Sequence, residues 1–150
     1  MLTFKEQKAY AIKMWKEIKS LLRKRTGNSY YTCPVSIIKR EIMTRFNWDI
    51  SKDNTPKRKK YITYVQHILW KYDCILCQYA SVKYNACNAC PLVRMGFPAC
   101  QDKCSSYATV DNAFTNSDRT EVDIRKAERA CDIIIRAIRK LTKRINYDKI

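Results

Sequence analysis

Apolar residues recur three and four positions apart in four stretches of the chain, and each stretch predicts an amphipathic helix. The first opens with Thr3-Phe4-Lys5-Glu6, a capping-box pattern. It places Phe4, Ala11, Trp15, Ile18 and Leu22 on one face, then ends in Arg23-Lys24-Arg25 before Gly27. A second helix, capped by Ser36, runs through Ile37, Ile38, Ile42 and Phe46. Thr55-Pro56 starts a third, with Tyr61, Val65, Ile68, Tyr72 and Ile75 in register. The last has the cleanest pattern: Ile124, Ala127, Cys131, Ile134, Ile138, Leu141 and Ile145 form a seam for packing against another helix. Asn116, Ser117 or Asp118 caps it, and Glu121 with Arg125 and Asp132 with Arg136 are spaced to pair on its outside. That seam packs either inside one chain or between two, which makes a dimer through the C-terminal helix one expected arrangement.

Between the third and last helices, Gln78 to Ser117 has little periodicity, and a stretch that long needs something to fasten it in a compact domain. The cysteines supply a candidate, spaced Cys74-x2-Cys77-x9-Cys87-x2-Cys90-x9-Cys100-x3-Cys104. Two C-x-x-C pairs suit a closed four-thiolate metal site, so Cys74, Cys77, Cys87 and Cys90 are the expected ligands. Cys100 or Cys104 could replace one of the four, Cys100 the stronger candidate because Gly96 and Pro98 can bend the chain back toward the site; otherwise both are spare thiols. Zinc is the expected metal and an iron–sulfur cluster the alternative, since Cys90-Pro91 also resembles the end of a ferredoxin cluster motif. Cys33 and Cys131 read as small hydrophobes, Cys131 because it lies in the seam of the last helix. A redox role for Cys74-x-x-Cys77 is disfavoured, because a helix C-terminus raises a thiol pKa where such chemistry needs it lowered.

The resulting fold class is mostly α: a bundle of three or four helices with an irregular, metal-pinned, cysteine-rich insert before the last one. The 150 residues form a single domain, with N-terminal helices over 1–73, the insert over 74–116 and the C-terminal helix over 117–147. Only two glycines occur, which excludes the glycine-rich phosphate loops of P-loop and Rossmann proteins. The single histidine, His67, lies seven residues before Cys74, too far along a helix to share its metal. That lone histidine also weakens an enzymatic reading. No run of apolar residues is long enough to span a bilayer, and the charged N-terminus lacks a signal-peptide core, so a cytoplasmic location is expected.

Thirty Lys and Arg against fourteen Asp and Glu give a net charge of +16, which points to a polyanionic partner. Three groups carry it: Lys57, Arg58, Lys59 and Lys60; Lys19, Arg23, Lys24 and Arg25; and Arg136, Arg139, Lys140, Lys143 and Arg144. Four cations at a helix start oppose the helix dipole, an arrangement easier to understand if they meet phosphates. Tyr30, Tyr31, Tyr61 and Tyr64 lie near the first two groups and offer rings for stacking on bases. Nucleic acid is the favoured partner. An acidic protein surface is the alternative, and an iron–sulfur redox protein is a third class.

The run Cys74-Ile-Leu-Cys77, Cys87-Asn-Ala-Cys90-Pro91-Leu92, Gly96 and Cys100, followed by Tyr107 and Phe114, resembles uncharacterised small cysteine-rich proteins encoded by bacteriophages. The resemblance spans roughly residues 70–141. It implies a metal-binding core and a phage-type accessory role in the host cytoplasm, without an activity.

Overall fold

A computed structural model of the chain describes residues 4–24, 35, 37–42, 95–97, 105–116 and 118–141. Four helical segments account for most of them, and no strand occurs among the described residues. They are α1 (Phe4–Lys24), α2 (residues 37–42, with Val35 also helical), α3 (Ser106–Thr115) and α4 (Glu121–Arg139). None is long and apolar enough to cross a membrane.

The face of α1 expected from its spacing is the face it buries. Ala11, Trp15, Ile18 and Leu22 are buried, and Met14 joins them. Helix α4 likewise buries Ile124, Ala127, Cys131, Ile134, Ile138 and the following Leu141. It also buries Ala130, Ile135 and Ala137, so its apolar arc is wider than a two-stranded seam. The extra width follows from packing against two partners, α1 and α3. The seam from Ile124 to Leu141 is therefore buried within one chain, while Ile145 lies outside the described residues.

Helices α1 and α4 run antiparallel. Lys8 Nζ, near the start of α1, donates to the Arg139 and Leu141 carbonyls at 2.6 and 2.9 Å. Lys19 pairs with Asp132, and Arg23 with Glu128 and Glu121. The Lys8 ammonium thus meets carbonyls that have no partner within α4, at the end where its dipole favours a cation.

Two helix starts differ from those expected. Val35 is already helical, one residue before the expected cap Ser36, which lies outside the described residues. The Val35 N–H donates to Asp111 Oδ1 of α3 at 2.8 Å. Ile38 and Ile42 are buried as expected, but Ile37 is exposed and Lys39 is buried. The cap of α4 is Thr120, not Asn116, Ser117 or Asp118. The Asp123 N–H donates to Thr120 Oγ1 at 3.3 Å, and the Thr120 N–H to Asp123 Oδ2 at 2.9 Å. Aspartate at the third position completes the box in place of the commoner glutamate.

The largest correction concerns the insert. Residues 106–115, within the stretch expected to be irregular, form a helix capped by Ser105, whose hydroxyl accepts from the Ala108 N–H at 3.0 Å. Val110, Ala113 and Phe114 are buried on α4. Arg119 then ties the corner: its guanidinium donates to the Ala113 carbonyl of α3 and the Leu22 carbonyl of α1, each at 3.2 Å. One cation thereby serves the C-terminal turns of two helices, and partial burial lowers its pKa.

Candidate nucleic-acid interface

The expected metal ligands Cys74, Cys77, Cys87 and Cys90, and the alternative Cys100, all lie outside the described residues. So do Arg25, Lys57, Arg58, Lys59, Lys60 and Lys143, together with the third helix expected to start at Pro56. The described residues do include a turn inside the cysteine-rich stretch. Gly96 has φ +87, a left-handed conformation that side chains disfavour, and a Cβ placed there would meet nothing within 4 Å. The glycine is thus required by backbone geometry, not by crowding. Met95 and Phe97 on either side pack against the helical core, and Ser105 is buried eight residues after Phe97. The segment carrying Cys100 is pinned to the core at both ends.

Cys131 sits where a small hydrophobe would. It is fully buried in the α4 seam, and burial pushes its thiol up to about 12, with Asp132 and Glu128 adding to the effect and Lys19 opposing it. A thiol so reluctant to ionise is a poor metal ligand and a poor nucleophile.

Of the basic residues expected to meet nucleic acid, Arg23, Lys24, Arg139 and Lys140 are described, and Arg23 needs correction. Its Nη2 and Nε reach Glu128 at 2.7 and 3.0 Å, and its Nη1 reaches Glu121 at 2.9 Å. These bonds hold the guanidinium charged and draw the Glu121 carboxyl below its ordinary range. Lys19 is committed in the same way to Asp132 at 2.9 Å, so Asp132 turns toward α1 and not toward Arg136 as its spacing suggested. Arg125 does pair with Glu121, at 3.2 Å. Half of the basic group at the end of α1 therefore serves the α1–α4 seam. Lys24, Arg139 and Lys140 are exposed.

The seam also sorts the charge. At 100° per residue, Glu121, Glu128 and Asp132 occupy the edge of α4 that faces α1, and Asp123 is engaged at the cap. The exposed positions beyond that edge are Arg125, Lys126, Arg129, Arg136 and Lys140. On the other side of the seam, Lys5, Lys16 and Lys24 are exposed on α1. Two cationic ridges thus flank a seam in which opposite charges are already paired.

A second cation is placed differently. Lys39 is 7 % exposed, with its Nζ 5.8 Å from the Trp15 ring centroid and 5.4 Å from that of Tyr107. The two rings meet edge-on, 6.1 Å apart. Sequence reasoning missed this site because its members come from α2, α1 and α3. The one signal was Ile37 and Lys39 flanking Ile38, which does not say which neighbour turns inward.

Comparison of the chain with protein-family models, with curated proteins and with solved structures finds no match.

Proposed function

We propose that this is a basic binding protein that contacts nucleic acid, chiefly at phosphates, and is fastened by a structural metal held by Cys74, Cys77, Cys87 and Cys90. The observation that carries the nucleic-acid reading is the charge sorting of α4. Its carboxylates are drawn into the seam or the cap, while exposed Lys and Arg line its outward face. Gathering the acids of α4 into the seam leaves Lys and Arg to dominate its outward face, which is the charge a polyanion would meet. The metal reading rests on the spacing of the two C-x-x-C pairs, with zinc preferred and a phage-type accessory role suggested by the cysteine pattern. Four thiolates leave zinc no open position, so the role is binding and not catalysis.

The test is fluorescence anisotropy of labelled DNA and RNA, single- and double-stranded, titrated with purified protein over a range of salt. Binding should weaken at least tenfold between about 50 and 200 mM salt as counterions are released. Absence of salt-dependent binding to any of the four would sink the reading. A nuclease-resistant complex with one acidic protein would then install the alternative partner.

A further inference from the structure

We infer that the outward face of α4 is a surface for the backbone of a double-stranded nucleic acid, gripped without reading its sequence. The inference rests on the nucleic-acid reading above and adds where the contact is made and which class of polymer it takes. At 100° per residue, Arg125, Lys126, Arg129, Arg136 and Lys140 fall within one arc of roughly 100°, opposite the buried Ala127, Cys131 and Ile138. The arc holds no carboxylate. The three acids of α4 nearest to it point toward α1, where Lys19 and Arg23 hold two of them outright. Only Glu121 reaches back: its Oε1 accepts from both Arg125 and Arg23, and its Oε2 from Arg23.

What the arc lacks selects its ligand. It carries no aromatic ring, so an unpaired base finds no platform to stack on, and single-strand binders depend on such platforms. It carries no Asn or Gln to pair with adenine; its arginines could pair with guanine, so the comparison of two unrelated duplexes decides whether sequence is read. The remaining two positions are Val122, which is exposed, and Ile133, which is half-buried. Neither is the large aromatic anchor that usually dominates a protein interface. What is left is a row of cations from Arg125 to Lys140, about 22 Å at 1.5 Å per residue. A duplex presents a stiff line of charge, one per about 1.7 Å of axis, and a straight helix can follow it for six or seven base pairs. A flexible strand matches that row less well because it must first be ordered.

The experiment uses the full chain with its bound metal and four probes: two labelled 20-base-pair DNA duplexes of unrelated sequence and the corresponding single strands. Three variants are compared with the parent. They are Arg129→Gln/Arg136→Gln/Lys140→Gln, then Lys126→Gln/Arg129→Gln, which spares the last turn, and a set with Gln at Lys57, Arg58, Lys59 and Lys60. The triple variant should lose at least tenfold in duplex affinity, and its log–log salt slope should flatten by about 2 to 3, near 0.9 per phosphate contact removed. The double variant should lose about two-thirds as much of the slope. Both should keep the parent's helical circular dichroism, since all the altered residues are exposed. The two duplexes should bind within about twofold of each other and ahead of their single strands. If the parent binds duplex and both α4 variants bind equally well, the surface is elsewhere and this inference fails while the nucleic-acid reading stands. Loss confined to the variant at residues 57–60 would locate it there. Preference for single strands, or for one sequence, overturns the polymer class. A parent that binds none of the probes removes the reading on which the inference rests.

Discussion

Trp15 is the residue on which the core turns. It is fully buried, lies edge-on to Tyr107 and carries Lys39 over its ring, which joins α1, α2 and α3 at one point. Its Nε1–H is buried without a hydrogen-bond partner among the described residues, a cost the site bears for the ring it gains. Trp15→Ala should therefore lower unfolding free energy by about 3 to 5 kcal/mol in a denaturant melt, the usual loss for an aromatic removed from a core. A loss below about 1 kcal/mol would mean that the ring is not what joins these helices. The burial of Trp15 was legible from its position among Ala11, Ile12, Ile18 and Leu22, apolar neighbours at helical spacing. The burial of Lys39 was not. A lysine enters a core only when rings and partners from distant segments surround its ammonium, and those distances are not written in local periodicity.

At the scale of elements, the buried faces of α1 and α4 were legible and α3 was not; α4 runs from Glu121 to Arg139, inside the 117–147 expected. Both long helices repeat their apolar positions over several turns, so the period outweighs any single polar residue. Helix α3 has ten residues, with Asp111 and Asn112 between Val110 and Ala113, and it follows a cysteine-rich stretch with no period at all. Its helicity depends on the Ser105 cap and on burying Val110 and Phe114 against α4, a tertiary cause. The ion pairs across α1 and α4 were missed for a similar reason, since spacing along one helix suggested Arg136 for Asp132 and only the antiparallel register supplies Lys19. That seam has a pH signature. Arg23 holds Glu121 below its ordinary pKa, and Thr120 does the same for Asp123 at the cap. A depressed carboxyl contributes stability that is fully present above its unfolded value and lost as pH falls through its folded value. The melting temperature should thus be flat near neutrality with respect to these groups and fall below about pH 4. In Arg23→Gln the part of that fall due to Glu121 should shrink, and the remainder, due to Asp123, should persist. An unchanged acid profile in Arg23→Gln would show that the seam does not couple to stability.

For the whole molecule the question is whether the proposed metal would make the fold or be added to it. Among the described residues, α1 and α3 each pack on α4, and α2 joins the same core through Val35, Ile38 and Ile42. Met95 and Phe97 attach the cysteine-rich stretch to that core, and the buried Ser105 marks its far end. The run that carries Cys74 to Cys90 lies outside the described residues, and under the proposed metal reading thiolates at zinc-site spacing would fasten it. Two levels of stability follow. Cys77→Ser or Cys90→Ser should abolish metal retention, read by elemental analysis, and should open the run between residues 78 and 94 to protease. The same variants should keep most of the helical circular dichroism, because the burial that holds α1, α3 and α4 together is untouched. Treating the parent with a strong chelator should give the same pattern, and restoring zinc should reverse it. If either variant retains full metal, the ligand set is wrong, and Cys100 becomes the first residue to substitute next. If metal loss instead collapses the helical signal, the fold is of the zinc-finger kind, in which binding and folding are one event. The helical core would then owe its order to the cysteine-rich stretch and not the reverse.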